Sequence, residues 1–145
     1  MCIRDRWNIY SKILRKKDSL KTSSVGRIFD AVASLLGIMD VQSFEGEAAM
    51  QLELMALDYF KANDLEFSSS YFEEGINYDS IPTKTLMKGI IIDLQKGKSK
   101  AFIAAKFHFS LMKIIKIVAS NLKIKKIAFS GGVFQNALLL SLIHI

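Results

Sequence analysis

One long stretch, residues 99–122, has the spacing of a helix that is apolar over most of its circumference. Polar side chains interrupt it along a single stripe, formed by Lys106, Ser110, Lys113 and Ser120. A helix with so little polar surface is stable only when other elements cover most of its sides. The sequence therefore predicts a helix-rich domain built around this segment.

Three shorter helical patterns precede the long one. The first covers residues 25–36, with Ser23 or Ser24 as the predicted N-cap and Gly37 as the predicted end. The second covers residues 47–61. Its predicted buried face consists of Ala49, Leu52, Met55, Ala56, Tyr59 and Phe60. The third covers residues 83–94, after Pro82, and the glycine at position 97 is expected to stop it.

Strand composition occurs in three places. Residues 67–72 and 76–79 are predicted to form two short strands around a glycine turn. Residues 124–129 are predicted to form a buried strand, and helix-forming residues resume after the glycines that follow it.

The strongest chemical motif is FSGGVFQN, residues 129–136. Gly131 and Gly132 lack a Cβ, so the backbone could approach a ligand closely, and the start of a following helix would favour an anion. The Asn136 amide can both donate and accept hydrogen bonds. Read alone, the motif favours a plain strand-to-helix turn over a ligand site, and it matches neither a Walker A loop nor GxGxxG.

Other polar residues have simpler interpretations when each is read alone. Arg27 and Asp30 are three residues apart on the first helix, which predicts a local ion pair. Gly46 lies in a loop between two carboxylates, and carboxylates at a helix start usually complement its dipole. His108 is predicted to be packed and hydrogen-bonded, since no second metal ligand lies at a suitable spacing.

Charge and cysteine content exclude several classes of protein. The net charge is +6, but seven basic and two acidic residues lie in positions 1–21, so the remainder is nearly neutral. This distribution argues against a nucleic-acid-binding surface. The single Cys2 cannot form an internal disulfide, no signal-peptide pattern is found, and polar residues interrupt the uncharged run 127–145. We therefore expect a cytoplasmic protein with no membrane segment.

Four segments together resemble one family of enzymes. They are TSSVGRIFDAVASLLGI (22–38), SFEGEAAMQLE (43–53), AAKFHFSL (104–111) and FSGGVFQNALLL (129–140). In this order they resemble the C-terminal carbamoyltransferase domain of HypF, the hydrogenase-maturation carbamoyltransferase family. The fold implied is α/β, a helix-rich partial fragment of an actin/Hsp70-like ATPase fold. Enzymes that make threonylcarbamoyladenosine on tRNA share related motifs, but EGEAAM and the FH pair favour the HypF branch.

The resemblance implies a reaction with carbamoyl phosphate and ATP as substrates. Carbamoyl-adenylate would form first, and its carbamoyl group would pass to the C-terminal cysteine of the partner HypE, for a cyanide ligand of NiFe hydrogenase. Two alternatives stay open: a tRNA threonylcarbamoyl transferase-like protein, and a non-catalytic helical binding module with a basic tail. Alone, this segment is expected neither to bind ATP tightly nor to turn over.

The resemblance also assigns residues to the nucleotide and carbamoyl-adenylate site. Asp30 would hold the sugar hydroxyls, Gly46 would lie beside them, and Gly131, Gly132 and Asn136 would line the pocket. No catalytic residue and no metal ligand is assigned within the segment. A divalent metal is expected in the full-length protein, with its ligands outside the matching segments, and zinc in domains further upstream.

The two ends of the chain suggest a fragment. MCIRDR at the start and SLIHI at the end resemble translated sequencing adapters. Residues 1–21 are therefore interpreted as a basic N-terminal segment, partly artefactual, and residues 141–145 as an artefactual tail. Residues 22–140 are interpreted as an internal part of the HypF C-terminal carbamoyltransferase domain.

Overall fold

The computed structural model describes residues 3–15, 22–63, 68–73, 78 and 80–144. Within these ranges the chain is helical, and no strand occurs in them. The elements are α1 (Ile3–Leu14), α2 (Gly26–Leu35), α3 (Glu47–Ala62), α4 (Thr83–Gln95), α5 (Lys100–Asn121), a 3-10 turn (Gly132–Gln135) and α6 (Ala137–His144). We call the residues 131–136 that include this 3-10 turn the glycine turn.

Helix α5 is the centre of the fold, as its composition predicts. Ser99 caps it by accepting a hydrogen bond from the Phe102 N–H at 3.2 Å. Helices α3, α4 and α6 pack against it. Its buried residues lie between positions 103 and 114, about three turns, and include Ile103, Phe107 and Leu111. A helix covered on three sides can be apolar around most of its circumference, which accounts for the pattern in the sequence.

The boundaries of α2 and the buried face of α3 differ in part from prediction. The residue before α2, Val25, provides no side-chain cap, so the prediction of a cap by Ser23 or Ser24 is wrong. Gly37 ends the helix as predicted, with a φ of 60°. In α3 the fully buried residues recur every fourth position, whereas Ala49, Met55 and Tyr59 are only partly buried. The fully buried set is Ala48, Leu52, Ala56 and Phe60.

The polar stripe of α5 anchors a loop and α4. Ser110 accepts a hydrogen bond from the Tyr71 N–H at 2.9 Å, and Lys106 binds Asp93 of α4 at 2.8 Å. The Tyr71 hydroxyl donates to Asp93 at 2.9 Å, and burial raises the pKa of this hydroxyl. Gly89 leaves space for the Tyr71 ring, because a Cβ there would lie 2.9 Å from its Cε1.

Two of the three strand predictions are wrong for the residues described. Residues 68–72 form an irregular loop, held by side chains of α5 instead of a strand partner. Residues 124–129 are also irregular, and Ile124 and Ile127 are about half exposed. A strand needs a neighbouring strand for its backbone groups, and the described ranges supply none. Of residues 76–79, only Tyr78 is described, as irregular backbone; the rest of that prediction lies outside the described residues.

The chain also contains a helix that the sequence did not predict. Helix α1 exposes five large apolar or aromatic side chains. These are Trp7, Ile9, Tyr10, Ile13 and Leu14. In the part of the chain that is described, no helix has the length and apolar character needed to cross a bilayer.

Candidate functional site

A cleft of about 880 Å³ opens between the start of α2, the loop before α3 and the glycine turn. Arg27 and Asp30 of α2 line it, together with Gln42 and Gly46 of the loop and Gly132 of the glycine turn. We call Arg27, Asp30, Gln42 and Gly46 the acidic wall, and Gly132 with Val133 the glycine wall. Three of the five residues assigned by resemblance, those at 30, 46 and 132, therefore line one cleft.

Asp30 is held by two neighbours that bind its two carboxylate oxygens. Arg27 Nη1 lies 3.1 Å from Oδ2, which confirms the predicted ion pair. Gln42 Nε2 donates to Oδ1 at 2.9 Å. The Asp30 side chain is 28% exposed. Each carboxylate oxygen can accept a second hydrogen bond, so the group can still bind hydroxyls of a ligand in the cleft.

Gln42 is a member of this wall that the sequence reading missed. Its Oε1 accepts a hydrogen bond from the Ala48 N–H at 3.3 Å, while its Nε2 binds Asp30. The two contacts fix the orientation of the amide, because the backbone can only donate and the carboxylate can only accept. Gln42 thus links α2 to the start of α3. A glutamine in a loop carries no local signal of such a role.

Gly46 sets the direction in which the chain enters α3. Its φ of 87° is in the left-handed region that favours glycine, although no atom lies within 4 Å of a Cβ built there. The glycine is therefore required by its backbone conformation and not by lack of space. Glu47, the next residue, accepts hydrogen bonds from the Ser43 N–H and hydroxyl at 2.6 and 2.8 Å. These bonds lower the pKa of the Glu47 carboxyl.

The glycine wall approaches the start of α2. A Cβ built on Gly26 would lie 3.9 Å from Cγ2 of Val133, and both residues line the cleft. The Phe134 N–H donates to the Gly131 carbonyl at 3.1 Å, which closes the 3-10 turn. Gly131 has a φ of 97° and does not itself line the cleft.

Asn136 is buried behind the glycine wall and does not line the cleft. Its Oδ1 accepts a hydrogen bond from the Leu139 N–H at 2.7 Å, and its Nδ2 lies 3.1 Å from His108 Nε2. The neighbouring Leu138 N–H donates to Glu53 Oε1 at 3.0 Å. Two donors of the first turn of α6 are therefore bound within the protein. The prediction that a helix follows the glycines directly is wrong, because the 3-10 turn lies between Gly131 and α6.

His108 is fully buried and hydrogen-bonded, as predicted from its position. Its Nδ1 lies 2.8 Å from the Ala104 carbonyl oxygen. Burial lowers the pKa of the imidazole to about 4, so the ring is neutral at neutral pH. A carbonyl can only accept, which places the proton on Nδ1 and leaves Nε2 to accept from the Asn136 amide.

The described residues do not provide a metal site. Within them, no group of three or more His, Cys, Asp or Glu side chains is arranged to hold a metal ion. The divalent metal that the resemblance implies therefore has no donor set among the described residues.

Comparison with known proteins identifies the family. Residues 3–144 match the family model described as carbamoyltransferase, Kae1-like domain, second subdomain. The chain belongs to the HypF carbamoyltransferase family. It is 36% identical to carbamoyltransferase HypF of Synechocystis sp. over 120 residues, which is 83% of this chain. It is also 36% identical to HypF of Rhodobacter capsulatus over 121 residues, 80% of this chain.

A solved structure of a HypF protein supports the same assignment. The crystal structure of full-length HypF in the phosphate- and nucleotide-bound form matches 99% of this chain, with a TM-score of 0.73 and 33% identity. The match confirms the prediction of a helix-rich fragment of the HypF carbamoyltransferase domain fold. The chain spans 22% of that protein and 15% of the length of each of the two HypF relatives.

Proposed function

We propose that this segment supplies one side of a nucleotide site in a HypF-type carbamoyltransferase. The observation that carries the proposal is the shared cleft, which is lined both by Asp30 of α2 and by Gly132 of the glycine turn. A full-length HypF has been solved with phosphate and nucleotide bound, and this chain resembles part of it. The tRNA-modifying alternative and the non-catalytic binding module have no comparable observation in their favour.

In this proposal each wall binds a different part of the nucleotide. Asp30 accepts hydrogen bonds from the sugar hydroxyls, in the orientation that Arg27 and Gln42 impose. Gly46 places the loop beside the sugar, and Gly132 lets the backbone come close to phosphoryl oxygens. Gly131 and Asn136 shape the turn from behind. The segment therefore binds and orients the ligand, while the reacting groups come from the rest of the protein.

The reaction we propose for the whole enzyme transfers a carbamoyl group from carbamoyl phosphate, with ATP, by way of carbamoyl-adenylate. Water cleaves carbamoyl phosphate to carbamate and phosphate, and a carbamate oxygen then displaces pyrophosphate from the α-phosphorus of ATP to give carbamoyl-adenylate. In the last step the thiol sulfur of the C-terminal cysteine of HypE attacks the carbamoyl carbon. A carbon–sulfur bond forms, the bond to AMP breaks, and the thiol proton is released to solvent or a base. The thiocarboxamide product is a precursor of the cyanide ligand in NiFe hydrogenase maturation. The divalent metal, the zinc domains and the cytoplasmic setting belong to this proposal.

The test uses the full-length enzyme that carries this segment. In Asp30→Ala, we expect the Kd for ATP to rise by about tenfold or more, because the ligand for the sugar hydroxyls is lost. Carbamoylation of HypE, followed by intact-protein mass spectrometry, should fall in parallel. Isothermal titration calorimetry measures the Kd.

Asp40→Asn is the matched control for the Asp30 variant. Asp40 is an exposed carboxylate close in sequence that accepts a hydrogen bond from Ser34 at 2.7 Å and does not line the cleft. We expect its affinity and transfer activity to equal those of the wild type. Unchanged ATP affinity and unchanged carbamoyl transfer in Asp30→Ala would reject the proposed site.

A further inference from the structure

A buried row of hydrogen bonds runs behind the glycine wall and connects α6 to α5. The Leu139 N–H donates to Asn136 Oδ1 at 2.7 Å, and Asn136 Nδ2 meets His108 Nε2 at 3.1 Å. The row ends where His108 Nδ1 donates to the Ala104 carbonyl at 2.8 Å. His108 is fully buried and Asn136 is 7% exposed.

The donors and acceptors in this row can be arranged in a single way. The backbone N–H of Leu139 must donate and the carbonyl of Ala104 must accept, which fixes the Asn136 amide and the neutral His108 ring between them. Rotation of either side chain would leave a buried polar group without a partner, and that is costly in a low-dielectric interior. The row therefore holds both side chains in one position.

The row is connected to both walls of the cleft. On the glycine wall, the Asn136 N–H donates to the Val133 carbonyl at 3.2 Å, and Val133 lines the cleft. On the acidic wall, the His108 ring packs edge-on against Phe29, with centroids 5.4 Å apart. Phe29 is fully buried and directly precedes Asp30 on α2. His108 of α5 thus contacts Asn136 behind the glycine wall and Phe29 beside Asp30 on the acidic wall.

We infer that His108 is a positioning residue for the nucleotide cleft. By holding Asn136 and Phe29, it sets the distance between the glycine turn and Asp30 without touching the ligand. Asn136, which the resemblance assigns to the pocket, is the link in this arrangement. The inference rests on the proposed function, since it concerns the geometry of that same cleft.

The test is a double-mutant cycle in the full-length enzyme, with the Kd for ATP as the readout. His108→Leu fills the same space in the core with an apolar side chain but removes the acceptor for Asn136. We expect the affinity for ATP to fall by about tenfold. Asn136→Ala should have a similar effect. The double variant should bind no more weakly than the weaker single variant, because both changes break the same link. Additive losses would overturn the inference.

Two further variants separate positioning from a general loss of stability. His108→Gln places an amide oxygen near the position of Nε2, so we expect it to restore most of the affinity. Leu86→Ala removes a fully buried side chain from α4, which does not line the cleft. We expect this variant to lower the melting temperature as much as His108→Leu does while the Kd stays unchanged. Equal weakening of ATP binding in Leu86→Ala, or no rescue by His108→Gln, would contradict a positioning role.

Asp30→Asn in the same series distinguishes failure of the inference from failure of the proposed function. If Asp30→Asn weakens ATP binding and His108→Leu does not, the cleft binds the nucleotide and only the positioning role is wrong. If Asp30→Asn leaves the Kd unchanged, the nucleotide site itself is wrong, and the inference about His108 fails with it.

Discussion

The two walls of the cleft are held in place by contacts of different kinds. On the acidic wall, Asp30 is bound by Arg27 and Gln42, three and 12 residues away in sequence, through partly exposed groups. On the glycine wall, Asn136 is bound by His108, 28 residues away, inside the core. Glu53 supports the same region from 85 residues away. One wall depends on local surface contacts and the other on distant contacts, mostly buried.

This difference indicates how each wall should respond to change. Exposed ion pairs contribute little free energy and are screened by salt, whereas an unpaired polar group in the interior is costly. Changes behind the glycine wall should therefore lower stability strongly. Changes on the acidic wall should leave stability nearly unchanged and alter ligand binding.

The largest effect expected is a loss of stability in acid caused by His108. Burial lowers the pKa of its imidazole to about 4, against about 6.5 in the unfolded chain. Above pH 6.5 the ring is neutral in both states. Between pH 6.5 and 4 the unfolded state binds the proton, so the free energy of unfolding falls as the pH falls, by about 3 kcal/mol in total.

Comparison with His108→Gln isolates this contribution from that of the carboxylates. The contacts recorded for the ring are Phe29 of α2, Phe107 and Ala104 of α5, and the Asn136 amide, none of which titrates. Thermal unfolding of the full-length enzyme should show a steeper loss between pH 6.5 and 4.5 in the wild type than in the variant. Parallel curves for the two proteins would show that the ring is not held neutral.

Glu53 should have the next largest effect, and it acts on the same wall. Its carboxylate is half-buried and accepts the Leu138 N–H in the first turn of α6. Glu53→Ala leaves this donor without its partner, so opening of α6 should become easier by about 1–2 kcal/mol. Hydrogen exchange of peptides that cover residues 137–144 in the full-length enzyme measures this. Glu53→Gln keeps the acceptor oxygen, and its protection should stay close to that of the wild type.

Much of the helical fold could be predicted from sequence because its signals are local. The amphipathic spacing of α2 to α5 and the glycines that end α2 and α4 lie within each segment. The composition of residues 124–129 predicts a strand, but no partner strand lies in the described residues, and the segment is irregular. Their apolar side chains instead border an open cavity of about 420 Å³ beside α5.

The candidate site could be predicted from the sequence only where its contacts lie within one segment. The Arg27–Asp30 pair is visible from a spacing of three residues on one helix. The role of Gln42 depends on the path of a loop, and the contact between His108 and Asn136 joins distant segments. Neither leaves a pattern in a single sequence. The family resemblance assigned Asp30, Gly46 and Gly132 to one site, and all three line the same cleft.

A smaller effect, on binding alone, is expected from Gln42 on the acidic wall. Gln42→Ala frees the Asp30 carboxylate on one side and removes the link to Ala48. We expect ATP to bind about fivefold more weakly, equivalent to about 1 kcal/mol, with a melting temperature close to that of the wild type. Calorimetric titration and thermal unfolding of the full-length enzyme measure the two. A large fall in melting temperature with unchanged affinity would reverse the contrast between the walls.

Arg27 should have the smallest effect, because its side chain is 71% exposed and its contact with Asp30 is a surface ion pair. Arg27→Ala should weaken ATP binding by only about twofold, since Gln42 still holds the other carboxylate oxygen. This small loss should shrink further at high salt, which screens exposed charges. Arg27→Lys, which keeps the charge, should bind ATP as the wild type does. A tenfold loss that persists at high salt would mean that Arg27 contacts the phosphates directly, and the acidic wall would then bind charge as well as the sugar.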